Sequence, residues 1–353
     1  MIPVKTSLRL AAILLLALFA GCNRMRTRTL EAAYVSAPQV VLRDRVAAVY
    51  NKQGYVKNGE RVEIIERERR FVHVRTASGI DGWMEQRYLV SQDVFSAFQK
   101  LAQQEQNAPV QGTATARNDT NLHVEPGRDT EHLYQLSQGA KVTLLKRGTV
   151  EKTLPGAAAK PVPPAAGAKQ PSPEPPKAAM EDWWLVRDPE AHVGWLLGRM
   201  MDVDVPLEVA QYAEGQRIVA FFVLNQVQDH DEQGNAKKVA QYLVLLTEPK
   251  DGMPFDYNQA RVFTWNLKRH RYETAYRERL SGVLPVIVSH EVFEKEGDLP
   301  TFVLHAQDDQ GNVSERKYKL NTPIVRRVLA PGETSRQAPA VSRQRRGSRR
   351  KAR

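Results

Sequence analysis

The sequence predicts a mainly β chain: two small related barrels, the second with a Pro/Ala-rich insertion, followed by an all-β sandwich or barrel. Three observations predict it. One set of strand-and-turn motifs occurs twice in the same order. Beyond Leu207, short apolar runs alternate with turn residues at the roughly 8–12-residue spacing of antiparallel β folds. Hydrophobic residues make up 42% and charged residues 26% of 353 positions, enough apolar material for the cores of two or three domains.

The chain opens on an export signal. Lys5 and Arg9 precede or adjoin an unbroken apolar run, Leu10 to Ala20. That run is too short to cross a hydrocarbon layer of about 30 Å as a helix. Residues 1–21 are therefore expected to be a signal peptide. Leu18-Phe19-Ala20-Gly21-Cys22 resembles a bacterial lipobox, with Phe19 where that family prefers an aliphatic residue. The resemblance implies lipidation of the Cys22 sulfur and a membrane anchor of two or more acyl chains, the number that stable attachment needs. Asn23 is not the aspartate that usually retains lipoproteins in the inner membrane. An ordinary leader with an incidental cysteine is the plainer alternative. Cys22 is the only cysteine, which excludes a disulfide framework, a Cys-rich zinc site and an iron–sulfur cluster. Residues 22–36 read as a linker.

The first barrel is expected over 37–90 and the second over 112–204. Gly59 to Arg67 lies on Gly139 to Arg147: a turn glycine, a charged position, then alternating apolar residues. Phe71-Val72-His73-Val74-Arg75 lies on Trp183-Trp184-Leu185-Val186-Arg187, and Gly82-Trp83-Met84 lies on Gly194-Trp195-Leu196, both at one offset. The first match has a smaller offset, so the second unit carries an insertion. Residues 149–180 contain it, rich in Pro, Ala and Lys. Proline lacks the donor a ladder needs, so this stretch is expected to be a disordered, extended loop. Residues 91–111 are expected to hold a linker helix packed on the first barrel, capped by Ser91, with Val94, Phe95, Phe98 and Leu101 at helical spacing.

Both units resemble the bacterial SH3 domain. In the second, Asn121-Leu122-His123-Val124-Glu125-Pro126-Gly127 is similar to the family's opening strand and turn, with Glu125 where arginine is usual. Trp183 to Val186 and Gly194-Trp195-Leu196 match its later strands. The first unit keeps Gly59 to Ile65, Phe71 to Val74, Gly82-Trp83 and Tyr88-Leu89, but its opening, Val41 to Arg45, is degenerate. The resemblance implies binding of peptidoglycan peptides or envelope protein partners, with Trp83, Tyr88, Trp183, Trp184 and Trp195 as candidate ligand contacts. Packing is the plainer role for Trp83 and Trp195. Trp183 and Trp184 are neighbours in a strand, so one is expected in the core and the other partly exposed.

Residues 205–330 read as the all-β domain, and here no family is recognised. Runs such as Arg217–Val227, Val239–Thr247, Tyr272–Arg277 and Val283–Ser289 are separated by turn residues, among them Ser281-Gly282. Arg261 to Trp265 and Tyr272 to Tyr276 form the expected arms of one hairpin.

Charge is uneven. Lys+Arg number 51 against Asp+Glu 40, a net +11. Arg336, Arg343, Arg345, Arg346, Arg349, Arg350, Lys351 and Arg353 fall in a stretch with no acid, so the body is close to neutral. Residues 331–353 read as a disordered basic tail, tethered to an anionic surface or merely solvated. Export argues against nucleic acid.

No sequence pattern points to catalysis. With Cys22 lipidated, no thiol remains for a cysteine peptidase. The eight histidines show no zinc spacing, and Asp308 to Asn312 misses the calcium-loop pattern and reads as a turn. No metal or cofactor is expected. The sequence thus predicts a non-catalytic, lipid-anchored envelope binding protein facing the periplasm or cell surface. An accessory component of an envelope complex, and a wall hydrolase with its site in 205–330, remain open.

Overall fold

The computed structural model describes residues 29–46, 51–152, 179–231 and 233–329. The expected leader 1–21, Cys22, most of the Pro/Ala-rich insertion and the tail 331–353 lie outside these residues. The chain divides into two compact units, 1–204 and 205–353.

The first unit holds two seven-stranded antiparallel sheets. The first sheet comprises β1 (Glu31–Val35), β2 (Gln39–Arg43), β3 (Lys52–Lys57), β4 (Arg61–Glu68), β5 (Phe71–Thr76), β6 (Asp81–Glu85) and β7 (Leu89–Ser91), in the order β3-β2-β6-β5-β4-β1-β7. The second comprises β8 (Gly112–Ala116), β9 (Thr120–His123), β10 (His132–Leu136), β11 (Lys141–Glu151), β12 (Met180–Arg187), β13 (Val193–Leu197) and β14 (Met201–Val203), in the order β10-β9-β13-β12-β11-β8-β14. Strand for strand, the two orders are the same. Alternating apolar residues bury one face of each: Val62, Ile64, Val72, Val74 and Met84 in the first, Val142, Leu144, Val186 and Leu196 in the second.

Three boundaries differ from the sequence reading. The expected linker 22–36 gives way to β1, because Ala33, Tyr34 and Val35 are buried and the strand fills the place between β4 and β7. The expected insertion 149–180 begins later and ends earlier: Thr149 pairs with Asp182 and Glu151 with Met180. A buried ion pair, Arg147 Nη2 to Asp182 Oδ1 at 2.6 Å, fastens this extension. The helix α1 (Gln92–Gln104) packs on both sheets, not on the first alone. Ser91 Oγ caps it by accepting from Val94 N at 3.4 Å. Its Phe95 stacks on Tyr34 of the first sheet (3.8 Å, 5°), and its buried Phe98 meets Tyr134 of the second edge-on at 5.2 Å. Asn58 adds a polar tie: it donates to Leu133 O at 2.7 Å and accepts from Gln135 N at 3.0 Å.

The second unit starts with a single-turn helix, α2 (Leu207–Ala210). One meander follows, β15 (Arg217–His230), β16 (Ala236–Thr247), β17 (Tyr257–Asn266), β18 (Arg271–Phe293), β19 (Gly297–Gln307), β20 (Val313–Asn321) and β21 (Ile324–Val328), each pairing with the next. The sheet curls as a half-barrel: Thr322 Oγ1 donates to Gln241 Oε1 at 2.8 Å, and His290 Nε2 lies 3.3 Å from Leu224 O. The expected hairpin is present, with Trp265 paired to Tyr272. The turn expected at Ser281-Gly282 is not. β18 continues through it, with register shifts on both sides of Gly282, where a Cβ would sit 2.1 Å from the Tyr257 ring. Asp308 to Asn312 is the turn the sequence predicts, with Asp308 Oδ1 accepting from Gln310 N and Asn312 N.

Candidate functional site

β6 alternates in the simplest way. Gly82 and Met84 face the core, and Trp83 and Glu85 face outward, half-buried. Gly82 has no Cβ because one would lie 2.9 Å from Leu42 Cβ and 3.0 Å from Arg43 O; its absence lets β2 close on β6. Trp83 stacks on His73 of β5 (5.0 Å between ring centres, 8°), its register partner. Its partner on the other side is Arg43 of β2. After β6, a 3₁₀ turn over Gln86–Tyr88 swings Tyr88 to the same place. Arg87 fixes that ring: its Nη2 donates to Tyr88 Oη at 2.7 Å, and its Nε lies 2.8 Å from Glu85.

Together these form a recess of about 490 Å³, lined by Trp83, Tyr88, Phe71, Arg43, Arg45 and Arg70 among others. Glu85 is the one acid among the described lining residues. Arg70 also lies over the Phe71 ring at 5.2 Å. Flat apolar faces framed by guanidiniums suit a peptide that carries carboxylates, because guanidinium and carboxylate match in a two-point hydrogen-bonded pair.

Of the five aromatic candidates, the structure brings Trp83 and Tyr88 together and places the other three elsewhere. Trp183 is 2% exposed and Trp184 7% exposed, so neither is the partly exposed member the sequence led us to expect. The physical reason is that both faces of the second sheet are covered. Trp184 belongs to the inner face, with Leu196 as register partner. The outer face carries Leu185, Val193 and Trp195, and Leu101, Ala102 and Ala108 from α1 and the segment after it pack there. Trp195 lies over Gly148, where a Cβ would come within 2.9 Å of its ring. Trp183 meets the His123 ring edge-on at 5.1 Å. Burial, then the nearby His132, pushes the His123 imidazole down to about 4, against the opposing bond to Thr130.

In the second unit, Asp229 is a buried carboxylate with three hydrogen-bond partners. Its Oδ2 accepts from Trp265 Nε1 at 2.6 Å and lies 2.9 Å from His270 Nδ1. Burial opposes its charge, but these donors and the His230 amide hold it at about 2. The guanidinium of Arg316 and the hydroxyls of Tyr276 and Tyr318 converge on Glu278.

Sequence reasoning missed the arginines of the groove, because Arg43 and Arg45 at the end of β2 meet Arg70 of the β4–β5 turn only in the fold. The Trp83–Arg43 register pair was hidden by the degenerate opening of the first unit.

Comparison with known proteins places a bacterial SH3 domain at residues 42–90, from β2 through β7. The chain is similar to the solved structure of an NlpC/P60 family protein from Bacillus cereus, at 10% identity and a TM-score of 0.23, covering 83% of this chain and 95% of that one. It is also similar to NlpC1 and NlpC2 from Trichomonas vaginalis. For NlpC1 the identity is 9%, the TM-score 0.17 and the coverage 72% of this chain and 89% of that one. For NlpC2 the identity is 11%, the TM-score 0.17 and the coverage 86% and 97%. No curated protein matches the chain.

Proposed function

We propose that this protein is an exported, lipid-anchored component of the bacterial envelope that holds peptides rather than cutting them. The observation that supports this most is the meeting of Trp83 and Tyr88 with Arg43, Arg45 and Arg70 around one recess, within the bacterial SH3 domain. The ligand class that fits is a carboxylate-bearing peptide, and the stem peptide of peptidoglycan is the reading we take. The rings supply contact area at low entropic expense, and the arginines select for negative charge. The second sheet, with the same strand order, is read as a second SH3-like unit that braces the first through α1. Acyl chains on Cys22 hold the chain at a membrane, and the arginine-rich tail adds a salt-sensitive contact with anionic surfaces.

The test is cosedimentation of the full chain with purified cell wall at low salt. We expect wild type in the pellet and Trp83→Ala in the supernatant. Wild type wholly in the supernatant overturns wall binding, and soluble wall fragments released by the protein overturn binding without cutting. Cys22→Ser is expected to shift the protein from the membrane to the soluble fraction; unchanged membrane association rules out the anchor.

A further inference from the structure

One turn occurs twice in the first unit, with the same hydrogen bonds and different chemistry. Between β5 and β6, Thr76 N donates to Ile80 O (2.8 Å), Gly79 N to Thr76 O (3.0 Å) and Ile80 N to Thr76 Oγ1 (3.1 Å). Between β12 and β13, Asp188 N donates to His192 O (3.0 Å), Ala191 N to Asp188 O (3.1 Å) and His192 N to Asp188 Oδ1 (2.8 Å). The fourth residue is left-handed in both: Gly79 at φ 84° (its bulkier counterpart, Ala191, at 68°). The first copy shows what the turn requires: a hydroxyl acceptor, a glycine and any residue that pairs. The second copy exceeds that requirement. It sets two carboxylates and an imidazole on five residues and tolerates alanine where glycine is unstrained.

The extra groups line a cavity. Asp188, Glu190 and His192 face Phe95 and Gln99 of α1 and Tyr134 of β10 across a cleft of about 570 Å³. No Lys or Arg is among the described residues that line it. His192 stacks on Tyr134 at 3.7 Å and 15°, and its Nδ1 lies 2.8 Å from Asp188 Oδ2, so the ring is fixed from two sides. Glu190 is exposed at the mouth. A negatively charged cleft with aromatic walls is what a cation with an aliphatic stem requires.

We propose that this cleft binds the ammonium group of a lysine-type side chain, with Glu190 as the contacting carboxylate, Asp188 as a further negative charge and the aromatic rings as walls for the stem. An organic cation fits better than a metal ion. Both Asp188 oxygens already engage His192, one through its backbone N–H and one through its ring. This site is separate from the Trp83 groove and of opposite charge.

The experiment titrates the full chain with Nα-acetyl-lysine methylamide, using the Nε-acetylated form as the neutral control and Zn²⁺ as a competing ion. We expect saturable binding of the charged probe and weakening of about tenfold or more for the neutral one. Glu190→Gln should weaken the charged probe by a similar factor. A variant given the first turn's residues (Asp188→Thr, Pro189→Ala, Glu190→Ser, Ala191→Gly, His192→Ile) should lose binding and keep its melting curve. If that variant does not fold, Glu190→Gln decides alone, since its exposed side chain makes no hydrogen bond or ion pair among the described residues. Trp83→Ala should leave the affinity unchanged, which separates this site from the groove. Equal binding of both probes, unchanged affinity in Glu190→Gln, no saturation, or displacement of the probe by Zn²⁺ overturns the proposal.

Discussion

The two sheets of the first unit share one strand order and differ in what lies on their outer faces. At equivalent places the first carries Arg43, His73 and Trp83, and the second His123, Leu185 and Trp195. In the first sheet the row is polar and cationic and borders an open recess. In the second it is apolar or desolvated, and α1 with the segment after it lies on top. One scaffold thus yields an open face beside a recess and a face covered by packing. Three positions and the placement of a helix decide which.

The largest effect should come from breaking the covered face. Trp183→Ala is expected to destabilise the first unit by about 3–5 kcal/mol in denaturant melts, the range for deleting a buried aromatic ring. A wild-type midpoint for that variant would mean the second sheet is open like the first. Trp83→Ala, by contrast, should change stability by less than that and abolish binding. Next in size are the close crossings. A Cβ at Gly194 would lie 2.7 Å from Leu122 Cβ, much as one at Gly82 would meet Leu42. Gly194→Val should cost about 1–3 kcal/mol or more by overpacking, and Gly82→Val a similar amount. A large loss in only one of the two would break the equivalence of the sheets.

The smallest expected effect is on pH dependence, and it belongs to the second sheet. His123 titrates near 4 when folded, below the ordinary imidazole value of about 6.5, so the unfolded chain takes up the proton first. Stability should therefore fall as pH drops from about 6.5 towards 4, and His123→Phe should flatten that slope. Arg43 stands at this position in the first sheet. A slope unchanged by His123→Phe would place the sensitivity elsewhere.

Much of the fold was legible because it depends on alternation and on turn glycines. Val62/Ile64 and Val142/Leu144 announce half-buried strands, and Gly82-Trp83 and Gly194-Trp195 announce the close β2–β6 and β9–β13 crossings. β1 was not legible, since Glu31 to Val35 alternates weakly and earns its place only between two neighbours. The continuity of β18 was hidden by Ser281-Gly282, where glycine makes room for the Tyr257 ring in an irregular stretch of one strand. Trp184 is buried on the inner face and Trp183 against His123, while α1 covers Leu185 and Trp195, a double packing no local pattern reveals. The acidic turn was within reach of the sequence: laying Thr76 to Ile80 on Asp188 to His192 at the offset already found exposes the change in chemistry.

The root of the β11–β12 hairpin has a practical consequence. Glu151 and Met180 are held in register, Lys152 N donates to Ala179 O at 2.7 Å, Arg147 pairs with Asp182, and Arg128 Nε reaches Glu181 at 2.8 Å. The two ends of the intervening segment are thus clamped side by side before it departs. A fluorescent protein, an affinity label or a longer or shorter spacer spliced between them inherits a ready-made pair of fixed exits, which makes this hairpin a natural port for reporters in living cells.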